Sequence, residues 1–203
     1  MSVKLPLILV CLIILQLAKA QEKNETTFKR FGFRVATNFS HVNFAKGSPP
    51  PVVPIITNWK AGINIGFFVA VHLAPKLDLQ PEYLFSQMGG DVKAADISYH
   101  FNYLSMPVLL KYQPHKNIFL LAGPQFDMLI GAKKSVNGTS TNITHDTEER
   151  SIGFTAGLEY QFVKSFFIGA RYMHGFNHIG LGQRSDIQEF KYELVQITAG
   201  VRF

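Results

Sequence analysis

Nine charged residues recur along the chain, each between apolar neighbours: Arg34, Lys60, Asp78, Glu82, Lys111, Asp127, Glu159, Arg171 and Arg202. Side chains of an extended segment alternate between two faces, so these charges share the polar face of strands whose other face is apolar. Five are cations and four are anions. Unpaired buried charge is very costly, so the near balance predicts a paired network filling an enclosed interior. The same residues in series are also the material of a gated proton or ion path.

Other chemistry is sparse. The chain has no zinc-ligand spacing, no phosphate-binding glycine loop and no Gly-x-Ser-x-Gly elbow. His174 and His178 are four apart on a strand-to-loop segment, where that spacing does not converge as it would on a helix. Ser86, Asp96, His100 and Asp186 fall near strand ends and have the residue types of a rim hydrolase, types that any polar loop supplies. The expectation is therefore no catalytic residues, no cofactor and no metal.

Eight alternating runs must position these charges. The first, Lys29 to Ser40, sets Phe31, Phe33, Val35 and Phe39 against Arg30, Arg34 and Asn38. The second, Asn58 to Leu73, sets Trp59, Ile63, Ile65, Phe67, Val69 and Val71 against Lys60, Asn64 and His72. The third, Lys76 to Ser86, sets Leu77, Leu79, Tyr83 and Phe85 against Asp78, Gln80 and Glu82. In the fourth, Ile97 to Tyr112, the apolar residues run Ile97, Tyr99, Phe101, Tyr103 and then Met106, Val108, Leu110, Tyr112. That change of phase predicts a bulge before Pro107, which cannot donate to a ladder.

The fifth run, Asn117 to Ile130, carries Gln125 and Asp127 opposite Phe126, Met128 and Ile130. The sixth, Ser151 to Phe162, carries Thr155 and Glu159 opposite Phe154, Leu158 and Tyr160. The seventh, Ser165 to Phe176, carries Arg171 opposite Ile168 and Tyr172. The eighth, Phe190 to Phe203, carries Gln196, Thr198 and Arg202 opposite Val195, Ile197 and Val201. Glycines recur on the polar face, as a narrow barrel interior requires. Aromatic residues gather toward strand ends (Trp59, Tyr83, Phe85, Tyr99, Tyr112, Tyr160, Phe162, Phe166, Phe203), the pattern of interfacial girdles.

Apolar residues outside and charges inside suit a chain built for lipid. The links alternate in length, with tight ones at Ala74-Pro75, Gln113–Lys116 and Val163-Lys164. Longer ones are expected at His41–Thr57, Gln87–Asp96, Gly131–Arg150 and Asn177–Glu189. Short turns on one side and long loops on the other, with an even strand count, put both ends in the periplasm. Fold class follows: all-β, an eight-stranded antiparallel up-and-down transmembrane β-barrel over residues 21–203, with an interior just wide enough for side chains.

Residues Met1 to Ala20 read as a signal peptide, with Lys4, the apolar run Leu5 to Leu17 and an Ala18-Lys19-Ala20 cleavage site. The one cysteine, Cys11, lies within it, so the exported chain would carry no disulfide. Removing Lys4 and Lys19 would lower the formal charge from +6 to +4. That charge favours contact with anionic lipopolysaccharide, while the scattered basic residues exclude a nucleic-acid stripe. Ser48-Pro49-Pro50-Pro51 with Pro54 forms a stiff segment. Asn-x-Ser/Thr sequons occur at Asn24, Asn38, Asn137 and Asn142, and a strand position argues against glycosylation of Asn38.

The run Asn102-Tyr103-Leu104-Ser105-Met106-Pro107-Val108-Leu109-Leu110-Lys111-Tyr112, followed by Ala122-Gly123-Pro124, resembles the PorT-like outer membrane β-barrel family of Bacteroidetes. The ending Ala199-Gly200-Val201-Arg202-Phe203 resembles the signal that the barrel-assembly machinery reads, with Phe203 as its terminal residue. The resemblance implies a multi-pass barrel in the bacterial outer membrane. Its expected partners are outer-membrane lipid and lipopolysaccharide, the assembly machinery, and envelope or secretion proteins met through the loops. Two other readings stand beside it. A soluble lipocalin-like binder of an apolar ligand would need the two faces reversed, and a rim-located outer-membrane enzyme would need its polar groups gathered at one mouth.

Overall fold

The computed structural model describes residues 29–46, 55–92, 95–181 and 188–203. The signal peptide, Asn24, the Ser48–Pro51 segment, Pro54 and Asp186 lie outside the described residues. The strands are β1 (Lys29–Asn43), β2 (Lys60–Ala74), β3 (Leu77–Val92), β4 (Ile97–His115) and β5 (Ile118–Val136), then the short β6 (Thr139–Asn142). They continue with β7 (Arg150–Gln161), β8 (Phe166–Gly175), the short β9 (Ile179–Leu181) and β10 (Gln188–Arg202). β1 to β5, β7, β8 and β10 pair antiparallel in chain order, and β10 pairs back onto β1. The seam runs without a break from Gly32↔Arg202 to Asn43↔Lys191, so the sheet closes on itself. The molecule is an eight-stranded antiparallel barrel with two small strands added at one end.

A belt of large apolar side chains circles the outside. Phe31, Phe33, Val35, Ile63, Ile65, Phe67, Leu120, Phe126, Leu158, Ile168 and Ile197 all point away from the barrel and are exposed. A continuous apolar band of this kind on a closed barrel faces hydrocarbon rather than water. Inside, Arg34, Asn38, Gln80, Lys111 and Glu159 are buried. These faces are the reverse of a lipocalin-like cup.

The two ends differ. At one end lie the start of β1, the end of β10 and the tight turns between β2 and β3, β4 and β5, and β7 and β8. Lys76, with φ 66°, takes the left-handed position after Pro75 in the first of these turns. Tight turns at one end are the pattern expected of the periplasmic side, and this end is named periplasmic on that ground. At the other end, β3, β4 and β5 run on beyond the apolar belt, and much of what was expected as loop is strand. Within the expected Gln87–Asp96 loop, β3 continues to Val92, which pairs with Ile97 at the start of β4. The expected Gly131–Arg150 loop holds the end of β5 and all of β6, joined by Asn137 and Gly138 with φ 48° and 80°. Two successive positive φ values are the type I′ hairpin signature.

The expected bulge before Pro107 is absent. β4 alternates without a phase change, so Tyr99, Phe101 and Tyr103 point inward and are buried. The chain tolerates apolar residues on that face because this part of β4 rises above the lipid and lines a core. Tyr99 accordingly leaves the expected girdle. The register shift lies one strand over: Asn102 pairs Gly131 while Tyr103 pairs Leu129, which leaves Ile130 of β5 as the extra residue.

Two interior glycines are required by close approach. A Cβ on Gly66 would lie 2.1 Å from the Tyr83 carbonyl oxygen, and one on Gly123 the same distance from that of Val108. The face assignment is tested by cysteine substitution in lipid vesicles. Ile168→Cys should react with a membrane-soluble maleimide, and Thr155→Cys, which points into the interior, should not; labelling of both alike would contradict the orientation.

Candidate functional site

The interior is built in layers, each set by the inward positions of neighbouring strands. At mid-barrel lies an ion cluster. Glu82 on β3 accepts from Arg34 Nη1 at 2.7 Å and from Arg171 Nη1 and Nη2 at 2.8 and 2.9 Å. Glu159 on β7 accepts from Arg171 Nη2 at 2.8 Å and from Lys111 Nζ. Arg171 on β8 thus joins both carboxylates, and the paired side chains are at most 1% exposed. Gln80, Gln196 and Thr198 complete the shell, the last two accepting from Arg34 Nη2. Forked guanidinium–carboxylate pairing fixes geometry as well as charge.

Toward the periplasm, the rings of Phe119 and Phe167 pack against the Lys111 ammonium. Phe68, Phe119 and Phe167 surround the Arg202 guanidinium at 5.4–6.0 Å. Arg202 reaches the cluster only loosely, with Nη2 3.8 Å from Glu159.

Toward the cell surface lies a polar layer. Asn38 donates to Ser86 and to the Gln87 carbonyl, both at 2.9 Å, and accepts from Gln196. The buried Asn38 is thus fully engaged inside the barrel. Above it sits an aromatic core of Phe44, Tyr99, Phe101, Tyr103, Phe190 and Tyr192. Phe190 and Tyr192 meet edge to face at 4.9 Å, and the Tyr103 and Tyr192 hydroxyls are 3.3 Å apart. Such pairs add about 0.5–1.5 kcal/mol each beyond burial.

Of the nine charges singled out from the sequence, Arg34, Glu82, Lys111, Glu159 and Arg171 form one cluster, with Arg202 at its edge. Three stand apart: Asp78 and Asp127 lie at other heights inside the barrel, while Lys60, expected in the interior, joins Ser98 and His100 on the outer face of the wall. Lys60 pairs with Asp91 at 2.8 Å at the surface end, with Ser98 and His100 beside it. Asp78 meets His72 at 3.0 Å at the periplasmic mouth. Asp127 is buried and accepts from the neutral Gln125 amide, itself held by Thr155.

The aromatic core and the Asp91–Lys60 pair were missed in the sequence. The 19-residue length of β4, more than a bilayer needs, is the signal that could have found the core. The rim-hydrolase residues are not brought together. Ser86 is buried in the polar layer, while Asp96 lies at a hairpin tip and His100 on the outer face. His174 and His178 face different carboxylates, Glu193 at 4.0 Å and Glu189 at 3.8 Å. Among the described residues no group of three or more His, Cys, Asp or Glu could hold a metal ion.

A closed barrel with a lipid-facing belt and a charge-filled interior is an outer-membrane protein. The chain belongs to the family of the outer membrane protein beta-barrel domain, whose model matches residues 19–180. Among solved structures it is similar to OprG of Pseudomonas aeruginosa, with a TM-score of 0.53 and 14% identity over 86% of this chain and 95% of that one. It is similar to Neisserial surface protein A, with a TM-score of 0.51 and 9% identity over 86% and 97%. It is also similar to Ail of Yersinia pestis, with a TM-score of 0.50 and 18% identity over 86% and 98%. At these identities the likeness is one of fold. No curated protein matches the chain in sequence.

Two predictions follow from the charge geometry. Glu82→Gln strands the buried Arg34 guanidinium and leaves Arg171 with Glu159 alone, and should cost about 3–5 kcal/mol in urea unfolding from vesicles, part of which a second change, Arg34→Met, should restore. At the surface end, above the apolar belt, desolvation and the Lys60 ammonium hold His100 below the usual histidine range. Desolvation works against the Asp91 carboxylate, and the Lys60 and Ser98 hydrogen bonds outweigh it, holding its pKa down. A depressed histidine pKa contributes stability above its unfolded value, about 6.5, that is lost as pH falls through the folded value. Hydrogen exchange of residues 97–100, corrected for the intrinsic rate, should therefore speed up below about pH 6.5, and His100→Gln should remove that step.

Proposed function

We propose that this chain is a closed, non-conducting barrel that works through its surface-exposed end, as a structural or interaction partner in protein secretion or envelope assembly of the PorT-like kind. The observation that carries this reading is the filled interior. An ion cluster whose paired side chains are at most 1% exposed lies between two aromatic layers, which leaves the barrel no solute path to serve. Among the described residues, the part free to meet partners is the wall formed by the far ends of β3, β4 and β5 with β6, which stands above the belt. In this reading the chain carries out no catalysis.

Three partners belong to the same proposal. Lipopolysaccharide meets the outer rim of the belt. The barrel-assembly machinery reads the last strand through Phe203, whose backbone N–H donates to the Phe31 carbonyl at 2.8 Å as the barrel closes. A secretion or envelope protein docks on the wall.

The test replaces the chain in its host with a version lacking the β5–β6 hairpin tip, residues 135–142. The shortened barrel should still reach the outer membrane, while exported proteins accumulate in the periplasm or the envelope becomes sensitive to detergent. Unchanged secretion and envelope resistance, together with stepwise conductance of the purified barrel in planar bilayers, would overturn the proposal.

A further inference from the structure

The periplasmic mouth is unlike the rest of the barrel. Two adjoining cavities, of about 200 and 750 Å³, share Arg30, Gln113 and Phe119 in their walls. Besides Lys111, which is bound to Glu159, the walls carry Arg30, Lys76, Lys116, Lys164 and Arg202. The one described acidic residue among them is Asp78, which lies against His72. Among the described residues, Arg30, Lys76, Lys116 and Lys164 form no ion pair. Like charges held around one concavity raise its potential and draw an anion to it.

Surface cations alone make no site, but Arg202 supplies an independent sign. Its side chain is 6% exposed and lines the larger cavity, yet Nε and Nη2 have no hydrogen-bond partner and Nη1 has a single long contact to Gln161 at 3.5 Å. A guanidinium offers five donors, and buried donors are as a rule satisfied. The nearest carboxylate cannot take them. Glu159 already serves Lys111 and Arg171, and four interior cations (Arg34, Lys111, Arg171, Arg202) share only two clustered carboxylates. The rings of Phe68, Phe119 and Phe167 keep water from the Arg202 plane, which strengthens its attraction for an anion at the mouth.

We infer that this mouth is a binding site for a phosphate oxyanion, with Arg202 as the buried charge behind it and Arg30 and Lys164 as its donors. A tetrahedral dianion presents enough acceptors to engage the Arg30 guanidinium fork and the Lys164 ammonium at once. The cavity has room for a phosphorylated head group rather than a bare ion. Two sources share this chemistry: the head group of an anionic phospholipid in the inner leaflet, reaching over the rim at Phe162 and Val163, and a soluble periplasmic phosphate.

The experiment uses the full barrel folded in neutral detergent, titrated with sodium phosphate at constant ionic strength and followed by ³¹P NMR. Saturable binding is expected. Arg202→Gln, which removes the buried charge behind the site, should weaken it about tenfold or more. Because Arg202 lies in the last strand and its replacement can disturb folding, the double variant Arg30→Gln/Lys164→Gln, confined to the mouth, should show the same loss. Lys133→Gln, at the opposite end, should leave binding unchanged. Competition by phosphatidylglycerol but not phosphatidylcholine vesicles assigns the lipid source; binding indifferent to both assigns the soluble one. Absence of saturable binding in the unmodified barrel, or an equal loss in Lys133→Gln, overturns the inference.

Discussion

Closure of the sheet is the constraint on which the rest of this structure depends. In hydrocarbon no water replaces a missing backbone partner, and each unpaired N–H or C=O costs several kilocalories per mole, so a sheet with open edges cannot persist there. Here the cost is avoided by the seam between β1 and β10, unbroken from Gly32↔Arg202 to Asn43↔Lys191. With eight strands, closure leaves a narrow interior, and every inward residue must fit its neighbours from across the barrel. The glycines at positions 66 and 123 are a consequence: where strands coil tightly, a methyl group would strike the backbone of the adjacent strand.

The same narrowness explains why the interior is polar at its centre and aromatic at both ends. Charges projected inward from β1, β3, β4, β7 and β8 are forced to within hydrogen-bonding distance of one another, and Arg171 bridges the two carboxylates that would otherwise repel. Buried ion pairs are weak sources of net stability but strong sources of specificity, since a strand slipped by one residue would send its charge into lipid. The aromatic core at the surface end adds ordinary hydrophobic burial where the strands leave the membrane. It lets β3, β4 and β5 stand above the bilayer as a sheet rather than as loops.

Most of the lipid-facing surface was legible in the sequence, because one face must be apolar along the whole membrane span and period-two alternation reports that directly. Strand number and the tight turns were legible for the same reason. The reading failed where strands leave the lipid. Tyr99, Phe101 and Tyr103 look lipid-facing by composition, yet they point inward, since above the belt the apolar face is the inner one. The β5–β6 hairpin is written in the Asn137-Gly138 pair, but that pair sits in a polar stretch whose composition is that of a loop. Which charges meet was legible only in part. Alternation assigns a face, but height along the barrel depends on stagger between strands, and that separates Asp78 and Asp127 from the central cluster; Lys60 lies instead with Asp91, Ser98 and His100 on the outer face.

The most direct test of a closed membrane barrel is gel migration of the outer-membrane fraction, unboiled against boiled. The barrel described here should resist detergent at room temperature and run as a compact species, then shift to the mobility of the unfolded chain on boiling. A chain recovered in the soluble fraction, running at one position under both conditions, would contradict the account.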